Sequence, residues 1–156
     1  MTTPRYYHTA TLLPDGSVLL AGGYGVWPGA IATSEIYRPG VLTPSPKLIS
    51  LSGDGHGQGA ILHGGTAQVA ASDHPAAVGE AIEIYLTGLM DGSVVPPQVS
   101  IGGRMAEVLW FGNTPGFVGL HQVNVLVPGG ITSGPAVPVH LLYLSRPSNE
   151  VTIAVR

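Results

Sequence analysis

The fold is decided by residues 115–128, which read Pro115-Gly116-Phe117-Val118-Gly119-Leu120-His121-Gln122-Val123-Asn124-Val125-Leu126-Val127-Pro128. A Pro-Gly pair opens this stretch, and Pro128-Gly129-Gly130 closes it. Between the turns the residues alternate. One face carries Val118, Leu120, Gln122, Asn124 and Leu126; the other carries Phe117, Gly119, His121, Val123, Val125 and Val127. A period of two with β-branched and aromatic residues predicts a strand over Phe117–Val127 with one apolar face. Other strands must cover that face, so we expect the stretch to lie in the middle of a sheet.

Short strands are predicted on both sides of this stretch, from about Ser45 to the C terminus. They include Gln98–Ile101, Arg104–Phe111 and Val137–Leu144, separated by glycine-rich turns such as Gly102-Gly103. A series of short strands with such turns is typical of an immunoglobulin-like β-sandwich. No segment has a helical period. The sequence therefore predicts an all-β fold.

Composition and charge exclude several classes of function. The 156 residues include 23 Gly, 14 Pro and no Cys, and the formal net charge is −3 with only six Lys and Arg. The chain has no basic patch, so we expect no nucleic-acid partner. The lack of cysteine excludes disulfides, zinc–thiolate sites and cysteine nucleophiles. No apolar run is as long as a membrane span, and Met1 leads directly into a strand-like segment, so we expect neither a membrane span nor a signal peptide in this chain.

Residues 1–42 are predicted to form a separate three-stranded sheet. They resemble one blade of a kelch propeller of the galactose-oxidase-like kind, through Arg5, His8-Thr9-Ala10, Asp15-Gly16, Gly22-Gly23 and Ser34-Glu35-Ile36-Tyr37-Arg38-Pro39. The Trp expected after the last strand is missing, and the chain contains no second repeat. Propellers need several blades to bury the faces of each blade. The blade must therefore pack on other parts of the chain or on another subunit, or stay partly disordered. We expect a homodimer built through its unpaired edges.

The second predicted domain, residues 43–156, is similar from about Pro46 to Arg156 to the C-terminal β-sandwich module of large secreted acidobacterial proteins. The similarity rests on Gly57-Gln58-Gly59-Ala60, Pro75-Ala76-Ala77, Gly79-Glu80, Tyr85-Leu86-Thr87-Gly88-Leu89, Ile101-Gly102-Gly103, residues 115–125 and Ser148-Asn149-Glu150-Val151-Thr152. It implies an immunoglobulin-like accessory domain with no assigned activity. It also implies an extracellular or cell-surface location.

The loop Gly53-Asp54-Gly55-His56-Gly57-Gln58-Gly59 is the strongest candidate for chemistry. Alternate glycines permit positive φ and close approach of the backbone to a ligand. Asp54 and His56 could flank a metal ion or a substrate carbonyl, and His63 follows on the next predicted strand. The alternative is a turn whose polar residues cap backbone groups. Calcium is a possible cofactor, with oxygen ligands drawn from Asp54, Asp73, Glu80, Glu83 and Asp91, although no known calcium-loop spacing is present.

The leading functional hypothesis is a non-catalytic interaction or structural module that binds carbohydrate or protein. The alternative is a small hydrolase of esters or lactones, assisted by calcium or zinc, with Asp54, His56 and His63 as its residues. No Gly-x-Ser-x-Gly elbow supports a serine hydrolase. The aromatic residues Trp27, Trp110, Phe111 and Tyr143 could form a face that stacks on sugars, but core packing is the favoured interpretation. His121 is interpreted as a core histidine.

Overall fold

The structure is a computed structural model that describes residues 3–14, 16–25, 29–38, 45–90, 92 and 94–156. The chain divides into two compact units, Met1–Leu42 and Thr43–Arg156. Across the described residues every regular element is a β-strand, none is helical, and all paired strands are antiparallel. The all-β prediction is thereby confirmed. Asp15, Trp27 and Asp91 lie outside the described residues.

The first unit contains one three-stranded sheet in the order β1-β2-β3. Its strands are β1 (Thr9–Leu12), β2 (Val18–Ala21) and β3 (Ser34–Tyr37). Arg5 ties the sheet together. Its buried guanidinium donates to the carbonyls of Gly22 at 3.1 Å and Thr33 at 2.9 Å, and it pairs with the Glu35 carboxylate at 2.6 Å. Hydrophobic side chains of this sheet stay exposed, among them Leu12 and Ile36. Every buried hydrophobic residue that the structure describes belongs to the second unit.

The second unit contains two five-stranded sheets. The front sheet comprises β4 (Lys47–Leu48), β5 (Ile61–His63), β6 (Ala81–Thr87), β9 (Val108–Asn113) and β10 (His121–Leu126). Its order is β4-β6-β10-β9, and β5 also pairs with β6. The back sheet comprises β7 (Gln98–Ile101), β8 (Arg104–Ala106), β11 (Gly134–Tyr143), β12 (Arg146–Pro147) and β13 (Val151–Val155). Its order is β12-β11-β7-β8, and β13 also pairs with β11.

Both sheets of the second unit contribute to one hydrophobic core, in the manner of a β-sandwich. Strict alternation along β6 buries Ile82, Ile84 and Leu86. Other fully buried side chains include Val123 and Val125 from β10, Val99 and Ile101 from β7, Val139 and Leu141 from β11, and Ile153 from β13. Each buried aliphatic side chain stabilises the fold by about 1.5–3 kcal/mol. This core fixes which face of the front sheet is left toward solvent.

The predicted strands Arg104–Phe111 and Phe117–Val127 differ from the observed ones. The predicted strand Arg104–Phe111 is two strands, because the chain leaves the back sheet at Ala106 and joins the front sheet at Val108. A β-bulge at Leu109 then shifts the register, so Val108 and Phe111 both pack on the core while Leu109 and Trp110 are both exposed. The predicted strand Phe117–Val127 starts only at His121, because Gly116 and Gly119 have φ of 82° and 77° and form turns.

Candidate functional site

The glycine-rich loop is organised by the Asp54 carboxylate. Its Oδ1 accepts hydrogen bonds from Ser52 Oγ at 2.6 Å, from the His56 backbone N–H at 2.9 Å and from Ser50 Oγ at 3.2 Å. The Ser52 and His56 bonds hold the pKa of Asp54 below its ordinary value, since they stabilise the charged form. Gly53, Gly55 and Gly57 all have positive φ, which lets the chain fold around the carboxylate.

Asn149 fixes the same loop to β4. Its Nδ2 donates to the Gly55 carbonyl at 2.6 Å and to the Leu48 carbonyl at 3.0 Å, while its Oδ1 accepts from the Leu48 N–H at 2.8 Å. The anchored loop forms one wall of an open cleft of about 390 Å³. Asp54 and His56 line this cleft together with Lys47, Ile49 and Thr87. The structure therefore brings two of the three candidate residues to one cavity.

His63 belongs to a different group of residues. Its Nδ1 pairs with Glu80 Oε1, and its Nε2 lies 3.0 Å from the His74 carbonyl. The hydrogen bond to Glu80 raises the pKa of His63. Partial burial would raise the pKa of Glu80, but the Ala77 N–H, which donates at 2.8 Å, and the His63 ring together hold it below its ordinary value. His63 is not among the residues that line the cleft.

The other candidate ligands are dispersed. Asp73 pairs with His74 at 3.1 Å, and Glu83 accepts hydrogen bonds from the Gly65 N–H and the Tyr85 hydroxyl. Within the part of the chain that the structure describes, no three His, Asp or Glu side chains are grouped so that they could hold one metal ion. His121 lies buried on β10, with its neighbours Val123 and Val125 in the core.

The aromatic candidates separate onto opposite faces. Tyr143 is fully buried, and Phe111 packs against the core. Trp110, next to Phe111 on β9, points away from the core and is 43% exposed. Its indole lies across Gly112, where a Cβ atom would stand 3.0 Å from Trp110 Cζ2. The ring is thus supported by backbone on one side and open to solvent on the other.

Polar side chains of β10 and β6 lie beside this ring on the solvent side of the front sheet. Register places Asn124 opposite both Trp110 and Glu83, and Gln122 opposite both Gly112 and Tyr85. We call this set, made up of Glu83, Tyr85, Trp110, Gly112, Gln122 and Asn124, the outer face. Gln122 is only 9% exposed although it points away from the core. Its Nε2 donates to Asn124 Oδ1 at 2.8 Å, which leaves the Asn124 amide N–H groups free to donate.

Sequence reasoning missed the outer face as a site. The alternation in residues 117–127 correctly grouped Gln122 with Asn124, and that pairing of amides on one side of a strand was the available signal. Tyr85 and Trp110 could not be added, because which strands flank β10, and in which register, is set by contacts between distant parts of the chain.

Comparison of the chain with models of known families, with curated proteins and with solved structures gives no match. Among the described residues, no helix is long and apolar enough to cross a membrane.

Proposed function

We propose that this protein is a non-catalytic binding module whose second unit binds carbohydrate on the outer face. The observation that carries the proposal is the Trp110 indole, exposed and supported by Gly112, beside Asn124 and Gln122. A sugar ring has C–H groups on its faces and hydroxyls on its edge. The indole offers a flat apolar surface for the C–H groups, and the amides offer hydrogen-bond donors and acceptors for the hydroxyls.

The support under the indole also favours binding. Gly112 leaves no side chain beneath the ring, so the indole can lie against the strand and is held there by van der Waals contact. A side chain that is already ordered loses less conformational entropy when a ligand docks. The bulge at Leu109 contributes as well, because it turns Trp110 toward solvent while Val108 and Phe111 remain in the core.

The charges of the outer face favour a neutral ligand. Residues 108–145, which include β9 and β10, contain no Asp, Glu, Lys or Arg. Glu83 is the one charged side chain of the outer face, and both of its carboxylate oxygens accept hydrogen bonds. An uncompensated negative charge repels uronic acids and sulfated sugars. We therefore propose neutral glycans as the ligands.

The proposal is tested by affinity electrophoresis in gels that contain a neutral polysaccharide, such as hydroxyethyl cellulose, or the acidic polysaccharide polygalacturonate. We expect the neutral gel alone to retard the protein. Trp110→Ala should weaken the interaction about tenfold or more, as for a central Trp in an interface. Phe117→Ala is the matched control, since Phe117 is an exposed aromatic residue outside the outer face. Equal retardation of the parent protein and Trp110→Ala would refute the proposal.

We further propose that the first unit mediates a homodimer. The supporting observation is that β1 and β3 each pair only with β2 among the described residues, so each is an edge strand of the sheet to which another strand can add. Sedimentation equilibrium should give a dimer for residues 1–156 and a monomer for residues 43–156. A monomer in both cases would refute this part.

The resemblances described above lead to three finer proposals. The first unit is a kelch-like blade, the second is an immunoglobulin-like accessory domain, and the protein acts outside the cell or at its surface. The order β1-β2-β3 and the paired antiparallel sheets support the two fold proposals. Fractionation of the producing cells, with detection by antibody, tests the location.

The alternative hydrolase is supported by one observation, the position of Asp54 and His56 on the same cleft wall.

A further inference from the structure

The outer face and the cleft belong to one surface of the front sheet. Lys47 and Thr87 are register partners, and the Ile49 N–H donates to the Tyr85 carbonyl at 3.1 Å. Leu48 and Leu86 point into the core, so Lys47, Ile49 and Thr87 point to the same side as Tyr85. These three residues line the cleft. The cleft therefore opens onto the side of the sheet that carries Trp110.

A single row of side chains crosses the sheet at the level of Tyr85. The row starts with the indole over Gly112 on β9, continues through Gln122 on β10 and Tyr85 on β6, and ends at Ile49, which is in the wall of the cleft. It spans three gaps between neighbouring strands, which is about 14 Å at the usual strand spacing. One pyranose unit is about as long as one such gap.

We propose that the outer face and the cleft form a single site for an extended, neutral, β-1,4-linked glucan chain that lies across the strands. This inference rests on the proposed function and deepens it. In such a chain every ring hydroxyl is equatorial and both ring faces present only C–H groups. One ring stacks on Trp110, the following rings direct their hydroxyls to the Asn124 amide and the Tyr85 hydroxyl, and a later ring enters the cleft beside Lys47 and Thr87.

The properties of the row match that ligand. Tyr85 donates its hydroxyl hydrogen to Glu83 Oε2 at 3.1 Å, so its oxygen faces the row as an acceptor for a sugar hydroxyl. Gln122 and Asn124 are neutral, and the glucan carries no charge that Glu83 would repel. In the cleft the Asp54 carboxylate is engaged by its own loop, which leaves Lys47 and His56 as hydrogen-bond donors at that end.

The test is calorimetric titration of the whole chain with cellobiose and with cellohexaose. Cellobiose reaches only the Trp110 end, whereas cellohexaose spans the row and the cleft. We expect cellohexaose to bind at least tenfold more tightly. The variant Thr87→Trp fills the cleft from an exposed strand position and should remove most of that gain, because cellohexaose then keeps only its contacts with the row. Met105→Trp on β8 of the back sheet is the control, since Met105 is also exposed but lies in the other sheet.

The outcomes separate the inference from the function on which it rests. If cellobiose and cellohexaose bind equally well, and Trp110→Ala abolishes both, the outer face binds sugar but the extended site is refuted. If Thr87→Trp binds cellohexaose as tightly as the parent protein does, the cleft is not part of the site and the inference is again refuted. If neither sugar binds, both the inference and the proposed function are refuted for this class of glycan. Thermal melts of each variant confirm that it is folded.

Discussion

The two units of this protein differ in what their sheets bury. In the second unit two sheets share one core, and side chains such as Ile84 are 0% exposed. In the first unit a single sheet leaves Ile36, at the centre of β3, 52% exposed, and the buried Arg5 ties its strands together with hydrogen bonds. Hydrophobic burial drives folding, whereas a network of hydrogen bonds contributes little net free energy. We infer that only the second unit is stable by itself.

The strongest test of this difference is to separate the units. Residues 43–156 should unfold in one cooperative thermal transition, close to that of the whole chain, because the fragment keeps the entire described core. Residues 1–42 should show no cooperative transition in circular dichroism, since a lone small sheet is at best marginally stable. If residues 1–42 melt cooperatively at micromolar concentration, the comparison fails.

A matched pair of isoleucines sharpens the comparison residue by residue. Ile84→Ala removes a fully buried side chain and should lower the free energy of unfolding of the second unit by about 2–5 kcal/mol. Ile36→Ala lies on an exposed strand of the first unit and should change the stability of the whole chain by no more than about 0.5 kcal/mol. Both values come from urea titrations. A large effect of Ile36→Ala would mean that its side chain is covered in solution, and repeating the titration at several protein concentrations tests whether a second copy covers it.

The pair of His63 and Glu80 makes the stability of the second unit depend on pH. The raised pKa of His63 means that its contribution is complete below its ordinary value of 6.5 and is lost as pH rises through the folded value. The lowered pKa of Glu80 means that its contribution is complete above its ordinary value of 4.5 and is lost as pH falls through the folded value.

The stabilisation from this pair should therefore be largest between about pH 4.5 and 6.5, and it should amount to about 1 kcal/mol, since both side chains are partly exposed. His63→Gln should lower the melting temperature most in that window and least at pH 9. His140→Gln is the control, because His140 pairs with Glu150 in an exposed position. If the difference between His63→Gln and the parent protein does not vary with pH, the pair contributes no titrating stabilisation.

The smallest effect is expected at the glycine-rich loop. His56 is exposed, so His56→Ala should change stability by no more than about 0.5 kcal/mol. Under the non-catalytic proposal the parent protein should not hydrolyse p-nitrophenyl acetate or γ-butyrolactone, with or without added calcium or zinc. Turnover that is sensitive to a chelator and is lost in both His56→Ala and His63→Ala would favour the hydrolase instead.

Most of the strand content could be read from alternation. The pattern in residues 117–127 predicted the buried side chains Val123 and Val125 of β10, because a half-buried strand imposes a period of two. The same rule failed at Glu107, since alternation does not reveal that Ala106 and Val108 face the core from different sheets. The rule also failed at Phe117, which lies outside the observed strand because Gly116 and Gly119 adopt positive φ and form turns there.

The sequence predicted the candidate site only where its residues are close together in the chain. The glycine spacing drew attention to Asp54 and His56, which do share a cleft wall. His63 is close to them in sequence, but the pairing of β5 with β6 directs it to Glu80. The outer face needs three strands from separate parts of the chain, and their register depends on the whole core rather than on any short segment.

The crossing at Glu107 has a kinetic consequence. Strands β7 and β8 form a hairpin in the back sheet, β9 and β10 form a hairpin in the front sheet, and one residue joins the two hairpins. Hairpins close within microseconds because their contacts are local in sequence. A chain that has formed both hairpins already holds β8, at the edge of the back sheet, next to β9, at the edge of the front sheet. The two sheets therefore do not have to form separately and then dock. The two halves of the core should therefore form in the same step, and the fast phase of refolding of the second unit should follow a single exponential, separate from the slow phases of proline isomerisation.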